Sequence, residues 1–210
     1  MQASDSQASS VGWFGPYYLE QRIAVGGNAE VFLAHHDSAP HERLVIKRLL
    51  PEVRARGDVD VLRREAEYHR RVDHPGVVKV LHTGVIDEEP YIAMEHVRGL
   101  DLHRLLQRSS SGKQAIPAEL AVFIIRSTAG ALHAVHTATS RDGKPLNLVH
   151  ADVSPSNIYL SDAGDVKLGD FGIARVASSA EAEENGSRTA GHFGYLAPEQ
   201  LTGEGHDCRA

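Results

Sequence analysis

The stretch that most constrains this chain is His150-Ala-Asp152-Val-Ser-Pro-Ser-Asn157, followed by Asp170-Phe171-Gly172 at the end of an apolar run. Asp152 and Asn157 stand five apart, and Asp170 adds a second carboxylate at a strand end. Two of these groups can ligate a cation while the third acts as a base. Hard oxygen donors of this kind suit Mg²⁺, which keeps waters and phosphate oxygens in its remaining positions. Taken singly, the first stretch is a capped turn and the second a β-turn. Their order, with Ala197-Pro198-Glu199 after them, argues against coincidence. Short strands are predicted at Ile158 to Leu160 and Val166 to Leu168, joined through Asp162-Ala-Gly-Asp165.

Upstream, the chain reads as sheet. Tyr17 to Leu33 predicts strand, Gly26-Gly27 turn, strand, and Arg43 to Leu49 predicts a third strand. Val61 to Val72 reads as a helix ending before His74-Pro75; Val77 to Ile86 and Tyr91 to Glu95 read as two more strands. The Gly-Gly turn leaves little side chain in the way of a ligand nearing the backbone, although most such turns are only turns. A Rossmann site is excluded because a strand follows the glycines, and a Walker A loop because no Gly-Lys-Ser/Thr is present. Lys47 interrupts Leu-Val-Ile-Lys-Arg-Leu. Alone it reads as an edge lysine with its head in water. Glu65 on the following helix could instead meet it and hold the ammonium toward phosphate oxygens.

Downstream the character is helical. Ala118 to His136 predicts a long helix with Pro117 at its start, and Leu120, Phe123, Ile124, Ala131, Leu132 and Val135 at helical spacing. Ser109-Ser-Ser-Gly-Lys-Gln reads as a surface loop, as does Thr137 to Pro145 around Asp142-Gly143. Residues 173–194 are small, polar and unpatterned, predicting a long mobile loop; residues 1–16 predict a disordered tail.

Composition narrows the partners. Hydrophobic residues at 41% and charged residues at 24% describe an ordinary globular protein. A net charge of −6 without a Lys/Arg block argues against nucleic acid. Cys208 is the only cysteine, which excludes a disulfide framework and a Cys-built zinc site and fits a reducing cytoplasm. The thirteen histidines include His133 and His136 three apart, but lack a His-Glu-x-x-His arrangement and read as solvated or packed imidazoles. The reading also expects no secretory signal and no membrane-spanning segment.

With Gly26, Lys47, Glu65, His150-Ala-Asp152…Asn157, Asp170-Phe-Gly and Ala197-Pro-Glu in order, the chain resembles the protein kinase family, most closely the bacterial Ser/Thr type. The resemblance runs from about Tyr17 to the end. It implies an α+β fold in two lobes, a small antiparallel-sheet N-lobe over 17–98 and a helical C-lobe over 99–210 lacking its last helices. Together they would form one protein kinase domain, 17–210. It implies Mg²⁺ and ATP as cofactors and a protein substrate bearing Ser or Thr. Lys47 would hold the α- and β-phosphates and pair with Glu65; Asp152 would accept the substrate hydroxyl proton; Asn157 and Asp170 would bind the metal. Ala24, Val25, Gly26, Gly27 and Asn28 would cover the phosphates, with Val31 and Val45 above the adenine and Tyr159 near the opposite wall. Met94 would be the gatekeeper, the backbone of Glu95 and Val97 would meet the adenine edge, and Asp101 the ribose. Small-molecule phosphotransferases of the aminoglycoside or choline kinase type share the His-x-Asp…Asn loop. They generally lack both Asp-Phe-Gly and Ala-Pro-Glu.

Several positions depart from the family pattern. Ala24 and Ala29 stand at glycine positions of the loop, and Val45 replaces a small Ala, which predicts weaker nucleotide binding. Ala151 replaces an Arg that would bind an activation-loop phosphate, so activity is expected not to depend on Ser187 or Thr189 by that route. Ser154 and His192 stand where a Lys and a Thr are usual, by independent drift or by an exchange of roles. His69 falls where an apolar residue normally packs against Phe171 and is expected to be buried. The chain stops near Ala210, where the family begins the central helix of its large lobe, so Phe123, Ile124 and Leu132 are expected to be partly uncovered. The functional expectation is a protein serine/threonine kinase of the cytoplasm acting in signalling. The alternative is a catalytically weak pseudokinase or fragment that binds nucleotide or protein.

Overall fold

The computed structural model describes residues 11–57, 60–170, 175–176 and 193–202. The chain divides into two compact units. The first holds residues up to Arg63 together with Val80–His96; the second holds Arg64–Lys79 and everything from Val97 onward. The expected simple cut after residue 98 therefore misses one excursion. Backbone bonds explain it: Val78 N–H donates to Leu168 O and Leu168 N–H to Gly76 O, each 2.8 Å, around a parallel bridge between Val77 and Leu168.

The first unit is a six-stranded antiparallel sheet in the order β1-β2-β3-β4-β6-β5. Its strands are β1 (Gly12–Phe14), β2 (Tyr17–Val25), β3 (Ala29–His36), β4 (Ala39–Leu49), β5 (Val80–Ile86) and β6 (Glu89–Glu95). Between β4 and β5 come a short helix α1 (Pro51–Ala55), opened by its proline, and α2 (Asp60–His69). The expected disordered tail is corrected over Gly12–Phe14, which pairs with Tyr17 to Leu19. Aromatic contacts account for this. Trp13 meets Tyr18 edge to face at 5.3 Å, and Phe14 is buried against Tyr91 at 5.6 Å. Residues 1–10 lie outside the described residues.

Period-two alternation sorts this sheet into two faces. One carries the core: Tyr17, Leu19, Phe32, Ala34, Ile46 and Ala93, with Phe14 and Tyr91. Beside this core runs a charge chain. Glu30, wholly buried, accepts from Arg48 Nε at 2.9 Å, Arg48 also approaches Glu89 at 3.6 Å, and Arg54 donates to Glu89. Arg48 lies over the Phe14 and Phe32 rings, so its planar cation is packed as well as paired.

The second unit contains β7 (Gly99–Asp101), α3 (Leu102–Ser111), α4 (Ala118–His136), β8 (Leu148–Val149), β9 (Ile158–Ser161), β10 (Val166–Leu168), β11 (Arg175–Val176) and α5 (Pro198–Thr202), with 3₁₀ turns at Pro155–Asn157 and Phe193–Tyr195. Strands β10-β9-β7 form one small sheet and β11-β8 a two-stranded ladder. Gly99 is required where β7 crosses β9, because a Cβ there would stand 1.9 Å from Leu160 O. The expected loop at Ser109 is corrected: α3 runs through Ser111, capped at its start by Asp101, whose Oδ1 accepts from Arg104 N–H at 2.7 Å. The expected loop over 173–194 is likewise interrupted, since Arg175 and Val176 pair with Val149 and Leu148; its remaining residues up to 192 lie outside the described residues.

Helix α4 has the predicted bounds. Ile124, Thr128, Ala131 and Val135 form its buried stripe and join Val77, Leu148, Ile158, Val166 and Leu168 in the unit's core. Ile124 is thus covered, contrary to expectation, whereas Val122, Phe123 and Ile125 are exposed. The expectation that no segment could span a membrane is also corrected. With 19 residues at a mean hydropathy of 1.3, α4 is long and apolar enough by length and composition. In this fold its buried stripe serves as a core helix.

Candidate active site

In the first unit, register places five of the expected nucleotide-binding residues on the sheet face opposite the core. Val31 pairs with Ala24 on β2 and with Lys47 on β4, and Val45 pairs with Met94 on β6. Alternation therefore aligns Ala24, Val31, Val45, Lys47, Ile92 and Met94. Ile92, opposite Lys47, shares this face although it was not among the expected site residues. Lys47 is only 6% exposed, which removes the edge-lysine reading. A buried ammonium is costly unless it is paired and hydrogen-bonded, so Lys47 is held by its surroundings and is not a surface lysine with its head in water.

The turn joining β2 to β3 closes with Gly26 N–H donating to Ala29 O at 2.7 Å. Val25 and Asn28 are exposed there, and Ala29 is the buried first residue of β3. A Cβ at Gly27 would meet nothing within 4 Å, and neither Gly26 nor Gly27 has a positive φ. These glycines are thus not demanded by the turn itself. Leu50 N–H donates to Asn28 O at 2.9 Å, tying the turn to the end of β4. Glu95 ends β6, and Val97 is the first residue of the segment that returns to the second unit.

Glu65 belongs to the second unit, on α2, and is 5% exposed. His69, one turn later, is buried as expected, with its Nε2 2.5 Å from Val78 O. Asp101 carries the cap of α3 and also meets Arg104 Nε at 3.3 Å. Tyr159 lies on β9 opposite Lys167, and a Cβ at Gly169 would crowd its ring at 2.9 Å.

The stretch from His150 to Asp170 is tied together by several hydrogen bonds. Asn157 is buried, and its Nδ2 donates to both Asp152 O (2.8 Å) and Asp152 Oδ2 (2.9 Å). These two bonds set the amide orientation and leave Oδ1 as its remaining ligand atom. Gly169 N–H donates to Asn157 O at 2.9 Å, bringing Asp170 into the neighbourhood of Asn157. His150, also buried, donates from Nε2 to Gly169 O (3.1 Å) and accepts at Nδ1 from Asp152 N–H (3.3 Å). That pattern is the neutral imidazole. Burial holds its pKa below the usual 6.5, against the opposing pull of the Gly169 carbonyl and of Asp170 and Asp152. Ala151 and Asp170 both adopt left-handed φ, +62° and +60°. For Asp170 this is tolerable chemistry; for Ala151 it is strained backbone that neighbours must hold.

Asp152, Asn157 and Asp170 are therefore gathered in one unit, while Lys47 shares one sheet face of the other with Ala24, Val31, Val45 and Met94. Oxygen donors from Asn157 and Asp170 fit Mg²⁺ in type. Ser154 is buried beside them in the loop; Phe171, Ser187, Thr189 and His192 lie outside the described residues. Gln200, on α5, was not anticipated. Its Oε1 accepts from Ala197 N–H at 2.9 Å and its Nε2 donates to Ala151 O at 3.0 Å. The available signal was Pro198 followed by Gln200, a helix start with a capping residue at the third helical position.

A sequence profile described as "Protein kinase domain" matches residues 17–210. The tyrosine-protein kinase MasK of Myxococcus xanthus is 37% identical over 94% of this chain and 31% of its own length. A probable serine/threonine-protein kinase PknB of Corynebacterium glutamicum is 35% identical over 92% of this chain and 29% of its own. The chain thus spans about a third of the length of these relatives. The solved kinase domain of Mycobacterium tuberculosis PknI superposes with a TM-score of 0.66 at 29% identity, over 97% of this chain and 70% of that one.

Proposed function

Because the chain belongs to the protein kinase family, we propose that it transfers the γ-phosphoryl group of ATP to a serine or threonine hydroxyl of a protein in cytoplasmic signalling. The observation that carries this reading is the linked set at Asp152. Asn157 bonds to both its carbonyl and its carboxylate, and Gly169 bonds back to Asn157. Phosphoryl transfer is mostly positioning and electrostatics, and this network supplies positioning.

In the proposed reaction Asp152 orients the substrate hydroxyl and takes its proton. Lys47, steadied by Glu65, binds the α- and β-phosphates, and Ala24, Val25, Gly26, Gly27 and Asn28 cover them. Val31, Val45, Met94 and Tyr159 enclose the adenine, the Glu95 and Val97 backbone meets its edge, and Asp101 meets the ribose. Mg²⁺ held by Asn157 and Asp170 would neutralise charge on the phosphates.

Two further readings have specific support. The MasK relationship favours tyrosine as the acceptor. Val45, buried next to Met94 where an alanine is usual, together with Ala24 and Ala29, favours a weak kinase that mainly binds. Single-turnover transfer from Mg·ATP, with Asp152→Asn as control and phosphoamino-acid analysis of the product, separates the three. Phosphoserine or phosphothreonine lost in Asp152→Asn supports the proposal. Phosphotyrosine replaces it with the second reading, and nucleotide binding without Asp152-dependent transfer replaces it with the third.

A further inference from the structure

The peptide unit between Ala151 and Asp152 is held at both polar ends. Its N–H, on Asp152, donates to His150 Nδ1 at 3.3 Å, and its C=O, on Ala151, accepts from Gln200 Nε2 at 3.0 Å. We propose that Gln200 is a positioning residue for Asp152, locking the peptide plane that leads into the base.

Four observations converge. Ala151 is a buried, non-glycine residue in left-handed φ, a conformation that L side chains resist and that needs external support. The contact spans 49 residues, so it exceeds ordinary helix capping. The Gln200 amide has one possible orientation, because Ala197 offers an N–H and Ala151 offers a carbonyl; a flipped amide would oppose like groups at both. Finally, Gln200 N–H donates to Ala197 O at 3.0 Å, so backbone and side chain close a reciprocal cap that pins the amide before it reaches across. The link from the start of α5 to the Asp152 loop therefore needs no charge and no phosphate, at the very position where an arginine is absent. It rests on the Ser/Thr kinase reading for its catalytic consequence but not for its geometry.

Two variants test it in the full chain. Gln200→Glu keeps the acceptor for Ala197 and loses the donor to Ala151; Gln200→Met loses both. Hydrogen exchange of the segment 150–157 reads the geometry, single-turnover phosphorylation of casein by Mg·ATP reads the catalytic effect, and mant-ATP titration reads nucleotide affinity. We expect both variants to speed exchange in 150–157 severalfold and to slow transfer about tenfold, with nucleotide affinity within about twofold of wild type. Unchanged exchange in both variants overturns the assignment. So does a transfer rate that falls only in step with nucleotide affinity and melting temperature, the mark of general loosening. A wild-type chain that transfers nothing, while exchange still depends on Gln200, overturns the kinase reading and leaves the clamp standing.

Discussion

His150 shows how one buried side chain ties protonation to the loop it supports. Its imidazole is neutral in the fold because burial depresses its pKa from 6.5. The unfolded chain takes up a proton as pH falls through that ordinary value, while the folded chain does not. The stabilisation is thus complete above about pH 6.5 and is lost on acidification, with a limiting slope of about 1.4 kcal/mol per pH unit. Urea melts between pH 7.5 and 5.5 should show stability falling with pH, and His150→Gln should remove up to that much of the slope. An identical slope in the variant contradicts the assignment. Gly27 makes the complementary case. A Cβ there meets no protein atom within 4 Å, so Gly27→Ala should leave the melting temperature within about 1 °C while weakening Mg·ATP binding about threefold or more. Much of this residue chemistry was readable in order and spacing, because Asp152, Asn157 and Asp170 have few alternative uses in such a pattern. The burial of Lys47 was not readable. A lysine on an apolar strand has the same sequence whether its head reaches water or is enclosed, and the other side of the sheet decides.

At the scale of elements, the strongest local energetics belong to the charge chain beside the first unit's core. Glu30 is wholly buried and takes its closer ion pair from Arg48, with Arg22 as a second partner at 3.5 Å, so Arg48→Ala leaves the carboxylate under-paired and should cost about 2–3 kcal/mol in urea denaturation. Arg54 is 41% exposed at its side chain, so Arg54→Ala should cost about 1 kcal/mol or less. Equal losses in the two variants would contradict this ranking. The long elements, α4 and the β2–β3 hairpin, were readable because their apolar periods extend over several turns or strand pairs. The short ones were not. Strand β1 depends on aromatic contacts with Tyr18 and Tyr91, and α3 ends in serines whose hydroxyls suit a loop equally well; here Ser111 Oγ donates to the Gln107 carbonyl instead. Even in α4 the face was ambiguous. Phe123 and Ile124 both fit an apolar stripe, and packing against Val77, Leu148 and Leu168 selects Ile124.

For the whole molecule, the proposed nucleotide binding relies on both Lys47 and Asp170, so nucleotide should stabilise the chain only when both residues are intact. A ligand that binds the folded chain alone, at about 100 times its dissociation constant, adds about 2.7 kcal/mol, which for a chain of this size raises the melting temperature by about 5–10 °C. Mg·ATP should produce a shift of that order in the wild type. Lys47→Met removes the charge proposed to face the α- and β-phosphates and Asp170→Asn removes the carboxylate proposed to bind metal, so each should abolish most of the shift. The magnesium dependence tells the two apart. ATP without Mg²⁺ should retain part of its weak effect in Asp170→Asn and lose it in Lys47→Met, because only the lysine addresses phosphate directly. If instead Lys47→Met responds to Mg·ATP as fully as the wild type, the buried ammonium serves the fold alone, and the nucleotide site must be sought elsewhere in the chain.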